Sequence, residues 1–399
     1  MKIGIDARFV GPEGTGLGKY TEKLILNLAK IDKKNEYCIF LRSKNWNFLK
    51  LPKNFKKVLA DVRWYSFEEQ LKLAGVFSGE KLDLVHVPHF NMPVLYRGKF
   101  VVTIHDLIHH QFSEQSTSTK NFLMFKIKRG AYKIIIYSAA KRAAKIIVPS
   151  NFVKKQVINA FKIDPGKVAI TYEAAEQEYF NQTQKPKFKT QNLLKKLKIK
   201  KPYIIYVGNA YPHKNLEKLL DAFKILITHS PREAWAKRGH SLAPRSLGEA
   251  GSLITHLVIV CPRDIFFERL RGEIAKRDLK SRVILSGYLE AKELKILFGH
   301  AAAYVFPSLS EGFGIPGLNA MAAKIPVVCS NIPTLKEIYE DAAVYFDPKN
   351  ANDIAMKIEK VLDDTKTRTD LVEKGKQLVK KYSWQKMAQE TLRVYESAQ

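Results

Sequence analysis

Four short stretches of the sequence carry residues able to do chemistry. In PSLSEGFGIPGLNAMAAKIPVVCSN, Pro307 to Asn331, a carboxylate, Glu311, is followed by Gly312, Phe313, Gly314 and Ile315. The glycines let backbone N–H groups approach an anion, and a helix opening near Ile315–Pro316 adds partial positive charge. Glu311 stands where it can accept hydrogen bonds from hydroxyls. In VGNAYPHKNLEKLL, His213 and Lys214 precede Asn215, a residue suited to cap a helix starting at Leu216. A cation at a helix N-terminus is a good holder of a diphosphate. TIHDLIHH sets His105 and Asp106 at the end of an apolar run, and Asp106 could orient His105 or contact a second substrate. GPEGTGLGKY places Gly11, Gly14, Gly16 and Gly18 in a loop ahead of a helix, where Gly16 and Gly18 would let the backbone approach a diphosphate. Taken alone that loop is a weak signal, because it does not match the dinucleotide fingerprint.

The elements that must position these residues follow from the apolar runs. Lys2–Ala7, Tyr37–Leu41, Leu82–Val87, Phe100–Ile104 and Ile146–Ser150 read as strands separated by helical stretches. Leu24, Ile25, Leu28 and Ala29 give the first helix an apolar stripe. Tyr203–Val207, Thr255–Val260, Val283–Tyr288 and Ala301–Phe306 repeat the alternation, and IPVVCS follows the Glu311 turn. Strand, turn, helix, strand is the βαβ unit of a doubly wound parallel sheet, and α/β sheets bind ligands outside the carboxyl ends of their strands. At 399 residues two such domains are expected. The Lys-rich segment Asn181–Lys201 reads as the linker, giving domains 1–185 and 186–380 and a final helix 381–399 with Trp384, Met387, Ala388, Leu392 and Tyr395 as its apolar face. Ser230–Ser252, rich in Pro, Gly, Ser and Arg, reads as a surface insertion.

Charge and cysteine usage bound the setting. The formal charge is +28, and residues 1–200 hold 37 Lys and Arg against 16 Asp and Glu. Between Glu114 and Asp164 eleven Lys or Arg occur and no acidic side chain. Lys120–Lys145 mixes those cations with Phe122, Met124 and Phe125, which suits an amphipathic segment lying on an anionic bilayer; an ordinary core helix with a solvated lysine face is the equal alternative. No recognised nucleic-acid motif accompanies the charge. Cys38, Cys261 and Cys329 are few, far apart and in apolar contexts, as expected of reduced thiols in the cytoplasm. The N-terminal MKIGIDARFV reads as a strand rather than a signal peptide, and no apolar run reaches the roughly 20 residues of a membrane span. His86, His89, His109 and His110 surround His105, but their spacing matches no usual zinc pattern, and polar loop histidines are the simpler reading.

SLSEGFGIPGLNAMAAKIPVVCSN resembles the EGFG-x-P-x-x-E-A-M-A segment of glycosyltransferase family four, retaining sugar transferases of the GT-B fold. GTGLGKY is similar to that family's N-terminal glycine loop, TIHDL to its His-Asp, and VGNAYPHKN to its V-G-R-x-x-P-x-K-G/N segment. The resemblance implies two Rossmann-like domains facing across a cleft, with the C-terminal helix crossing back onto the first. It implies a nucleotide-diphosphate sugar as co-substrate, a saccharide or lipid-linked acceptor, no metal and no cofactor. It places Lys214 on the phosphate, Glu311 and His105 on the transferring sugar, and Tyr288 beside the nucleotide base. Two positions depart from the pattern: Asn319 stands where a second glutamate is usual, and Asn209 where an arginine is. His213 or Arg263 could supply the charge missing at Asn209. A different donor, weaker binding, or a non-catalytic scaffold that binds polysaccharide or an anionic surface would each account for those losses. The His-Asp-Leu-Ile segment tilts the donor toward GDP-mannose. The expected setting is envelope saccharide assembly, in the cytoplasm or at the inner face of its membrane.

Overall fold

The computed structural model describes residues 1–111, 122–180, 187–228 and 256–398, apart from the side chains of 12, 109, 111, 122–125 and 187–190. The chain divides into two compact units, Met1–Glu173 with Tyr382–Gln399, and Ala174–Lys381. The first boundary thus falls at Glu173 rather than at the expected residue 185.

Seven parallel strands build the first unit's sheet: β1 (Lys2–Asp6), β2 (Glu36–Leu41), β3 (Phe55–Leu59), β4 (Leu84–Val87), β5 (Phe100–Thr103), β6 (Lys145–Val148) and β7 (Val168–Ile170). Their order is β3-β2-β1-β4-β5-β6-β7, so the order reverses between β1 and β4. β4 and β5 are buried along their whole length and β6 beyond Lys145, as a parallel sheet covered by helices demands. The helix Thr15–Ile31 buries Leu24, Ile25 and Leu28, while Ala29 is half-exposed. The helix Trp384–Ser397 packs against it within this unit, burying Met387, Ala388, Thr391, Val394 and Tyr395. Leu392, expected on the buried face, is half-exposed, and Thr391 and Val394 take its place.

The second unit holds β8 (Tyr203–Val207), β9 (His256–Val260), β10 (Val283–Leu285), β11 (Ala303–Phe306), β12 (Val327–Ser330) and β13 (Ala343–Phe346), all parallel, in the order β10-β9-β8-β11-β12-β13. The reversal lies between β8 and β11. Within the expected linker, Lys187–Lys196 is a helix of this unit whose Leu193 and Leu194 are buried. The insertion Ser230–Ser252 and the start of the basic segment at Lys120 lie outside the described residues.

Candidate active site

In the second unit the two residues with the strongest chemical signal meet. Lys214 follows β8 and Glu311 follows β11, so both stand at the topological switch point, outside the carboxyl ends of neighbouring strands. Lys214 Nζ lies 2.6 Å from Glu311 Oε1, with the side chains only 14% and 10% exposed. The ammonium also stands 5.8 Å from the Phe306 ring centroid. Their turns are tied together, since Leu309 N–H donates to His213 O at 2.8 Å.

Asn215 does not cap the following helix with its side chain, as the sequence suggested. It sits in the left-handed region, φ 59°, and its Nδ2 donates to the carbonyls of Pro307 (3.1 Å) and Pro348 (2.7 Å). Asparagine tolerates that backbone and has the two donors needed to join three loops.

The Glu311 turn is held from beneath. Thr334 Oγ1 donates to Glu311 O at 2.8 Å, and Tyr339 OH donates to Gly314 O. Gly314 has φ +100° and N-caps the helix Ile315–Ala322, and a Cβ there would lie 2.5 Å from the Tyr339 hydroxyl. Glycine is therefore required by backbone and space together. Gly312 and Ile315 are half-exposed, whereas Phe313 is 3% exposed, so its side chain belongs to the core and only its backbone is placed for a ligand. Asn319 lies on that helix, and its Oδ1 accepts from Glu176 N–H at 2.8 Å. Asn209 follows β8. Its carbonyl accepts from Tyr206 OH at 2.7 Å, and among the described residues its buried Oδ1 has no hydrogen-bond donor. Tyr211 packs edge-on to Phe266 at 4.9 Å, with His213 at 6.0 Å. Arg263 lies over Gly287, whose φ is +76°; a Cβ there would be 2.7 Å from Arg263 Nε. Tyr288 beside it is 72% exposed.

In the first unit His105 bridges strand exits. Its Nδ1 is 3.1 Å from Glu173 Oε1, beyond β7, and its Nε2 is 3.1 Å from Pro88 O, beyond β4. The Tyr20 ring meets it edge-on at 4.6 Å. Burial alone would lower the His105 pKa, but the bond to the Glu173 carboxylate, its charge, the Pro88 carbonyl and Asp106 together raise it above the ordinary histidine value. Asp106 accepts from Ile108 N–H at 2.9 Å, which opens the short helix Ile108–Gln111; it is Glu173, not Asp106, that bonds the ring. Nothing local marked Glu173, because its partner is 68 residues away.

The glycine loop also differs from expectation. The helix begins at Thr15, so Gly16 and Gly18 lie inside it. Gly18 is buried, and a Cβ there would collide with the Phe9 carbonyl; Gly14 is barred from a Cβ by the same group. Gly16 is exposed in the first turn with open space around it. The turn after β1 is pinned by Asn45, whose Nδ2 donates to Ala7 O and Val10 O at 3.1 and 2.9 Å. Beneath it the fully buried Arg8 bonds Asp6 (2.7 Å) and Glu69 (2.6 Å).

His86 is not a loop histidine. It lies in β4, fully buried, with Nδ1 2.6 Å from Tyr395 OH and Nε2 2.8 Å from Thr103 Oγ1. Burial, with the nearby His105 charge, pushes its pKa down to about 3, so it is a neutral strut between the final helix and the sheet. His89 meets Tyr65 OH at 3.2 Å, and His110 is exposed. The side chain of His109 lies outside the described residues.

Residues 16–176 match the family model described as Glycosyltransferase Family 4, and residues 255–378 match Glycosyl transferases group 1. The chain is 24% identical over 350 residues to the O-antigen chain mannosyltransferase RfbU of Salmonella typhimurium, covering 85% of each. It is also 24% identical over 399 residues to the O-antigen chain mannosyltransferase B of Escherichia coli, covering 96% of each. Among solved structures, Anabaena HepE in complex with UDP and glucose superimposes with a TM-score of 0.72 over the full length of both chains at 14% identity. That last likeness speaks for the two-Rossmann-domain GT-B fold.

Proposed function

We propose, from the premise that this chain belongs to the family 4, group 1 glycosyltransferases, that it transfers a hexose from a nucleotide-diphosphate sugar to a saccharide or lipid-linked saccharide in cell-envelope polysaccharide synthesis. GDP-mannose is the favoured donor, in keeping with the mannosyltransferase relatives. The observation that carries the reading is the Lys214–Glu311 pair at the switch point of the second sheet, beside the N-terminus of the helix Ile315–Ala322.

Departure of the diphosphate is the costly step, and an aimed cation with a helix N-terminus stabilises the charge that develops. Lys214 and the Gly312–Ile315 amides serve that role. Glu311 exchanges its bond to Lys214 for hydroxyls of the transferring sugar and fixes the sugar's position. Within the first unit, taken by itself, the ligand contacts are His105 and the Gly16 turn, and the acceptor binds this unit. Transfer proceeds with retention of the anomeric configuration and with no metal. Asn319, engaged with the Glu176 amide, offers ribose hydroxyls an amide rather than a carboxylate, which predicts weaker donor binding than a glutamate would give.

The test is GDP release from GDP-mannose, and UDP release from UDP-hexoses, with a lipid-linked acceptor fraction, for wild type and for Lys214→Ala. Turnover of one donor, at least tenfold slower in Lys214→Ala, supports the reading. Tight nucleotide-sugar binding with no turnover on any acceptor fraction points to the non-catalytic scaffold instead.

Peripheral contact with an anionic membrane belongs to the same proposal. Among the described residues no helix is long and apolar enough to cross a membrane. The helix Phe122–Arg142 exposes Ile127 (59%), Ile134 (65%) and Tyr137 (51%), at helical spacing, among the exposed Lys126, Lys128, Lys133 and Lys141. Apolar side chains for the acyl boundary and lysines for anionic headgroups are what such a surface requires.

A further inference from the structure

We infer that Glu173 is the positioning residue of His105, fixing its ring across the carboxyl edge of the first sheet with both ring N–H groups donated, so that a ligand meets His105 as a fixed cation and not as a proton acceptor. This rests on the reading above only for what the ligand is. The state of the ring is argued from its surroundings.

Both nitrogens of His105 face groups that accept and do not donate: the Glu173 carboxylate at 3.1 Å and the Pro88 carbonyl at 3.1 Å. A neutral imidazole carries one N–H and leaves the other nitrogen as an acceptor. Set against two acceptors, it would leave one lone pair directed at another. Imidazolium satisfies both contacts at once. Glu173 is 7% exposed on its side chain and His105 20%, so water cannot replace either partner cheaply.

The other groups around the ring agree. Asp106, the next residue, adds negative charge. His86, from β4, is neutral because burial holds its pKa near 3, and so does not oppose the charge on His105. Tyr20, from the helix Thr15–Ile31, presents its ring edge, and its hydroxyl, kept protonated by burial, sits 3.4 Å from Thr103 Oγ1. Glu173 is thus the one carboxylate in contact with the ring among the described residues. It is also the last residue of the first unit before the chain enters the second.

A histidine committed in this way has neither nitrogen free to remove or deliver a proton. What it offers is positive charge and polarised ring C–H edges held in one orientation, the kind of preorganised field that stabilises negative charge without reorganising.

The experiment is a pH titration of the full chain labelled with 15N at the histidine rings, the His105 signals being assigned from their loss in His105→Gln. Both His105 nitrogens should show the protonated shift at pH 7, and the ring should titrate above the ordinary histidine value. In Glu173→Gln the titration should move down, because the Glu173 charge is lost while burial, the Pro88 carbonyl and Asp106 stay. Glu173→Asp, which keeps the charge one methylene shorter, should recover part of the shift. Should Glu173→Gln fail to fold, the wild-type titration and Glu173→Asp carry the test. A neutral His105 at pH 7 in the wild type, or a titration unmoved in Glu173→Gln, overturns the inference. None of these readouts uses turnover, so they stand or fall apart from the transferase reading.

Discussion

Removing Lys214 should do two separable things, and a four-protein cycle resolves them. The pair is 2.6 Å long with side chains 14% and 10% exposed, which makes it a nearly buried, charge-assisted hydrogen bond. Deleting one partner of a buried pair costs about 3–5 kcal/mol, chiefly by leaving the other charge unsolvated. The residual exposure of both groups lets water relieve part of that, so Lys214→Met should lose roughly 2–4 kcal/mol in urea denaturation. Glu311→Gln alone should lose less, since an amide can still bond the ammonium. The double variant should regain much of the Lys214→Met loss, because no buried charge is left unpaired, giving a coupling of at least ~1 kcal/mol. Donor binding should move differently. A lost charge-assisted contact to phosphate is worth about 1.5–3 kcal/mol, or ~10–150-fold in Kd, and the double variant should not recover it. Calorimetric titration with GDP, UDP and their sugars measures that. Additive stabilities within ~0.3 kcal/mol, or nucleotide affinities unchanged in Lys214→Met, would refute the account of this pair.

Gly317→Ala should lose at least ~1–3 kcal/mol in urea denaturation, because its Cβ would run into the Tyr339 hydroxyl, which already bonds Gly314 O. His86, with a folded pKa of about 3 against an ordinary 6.5, should make the protein lose stability as pH falls from ~6.5 toward 3, since protons then bind the unfolded chain first. His86→Gln should flatten that acid limb while costing ~1–3 kcal/mol at neutral pH, read from denaturation curves across pH. Ile134→Glu with Tyr137→Glu should abolish cosedimentation with phosphatidylglycerol vesicles at 0.1 M salt and leave stability within ~0.5 kcal/mol; equal binding to neutral vesicles would sink the headgroup argument.

What could be read in the sequence was whatever is local. β5 and β11 are continuous apolar runs because both their faces are covered, and the Glu311 turn announces itself by a carboxylate, two glycines and a proline within six residues. β3 escaped notice because it is an edge strand: Lys56 and Lys57 sit in a run of five residues of which only Phe55 is buried. The helix Lys187–Lys196 looked like linker for a similar reason, two buried leucines among lysines. The glycines of GTGLGKY suggest a loop ahead of the helix. Here Gly18 is helical and serves close approach to the Phe9 carbonyl. Least legible were contacts joining distant positions, such as His105 with Glu173, Lys214 with Glu311, and His86 with Tyr395. Residue type shows that a histidine can bond; only the folded chain shows to what.

That last contact bears on how the protein is made. The first unit is discontinuous: residues 1–173 emerge from the ribosome first, while Tyr395, which closes on His86, follows after roughly 200 further residues. At ~5–20 residues per second this interval is about 10–40 s. Throughout it His86 lacks its hydroxyl partner, and the face of the helix Thr15–Ile31 that receives the final helix stays uncovered. The early unit is therefore a nascent-chain species with exposed apolar surface, of the sort chaperones recognise. A frameshift near residue 381 would damage the unit encoded first, not the one just completed.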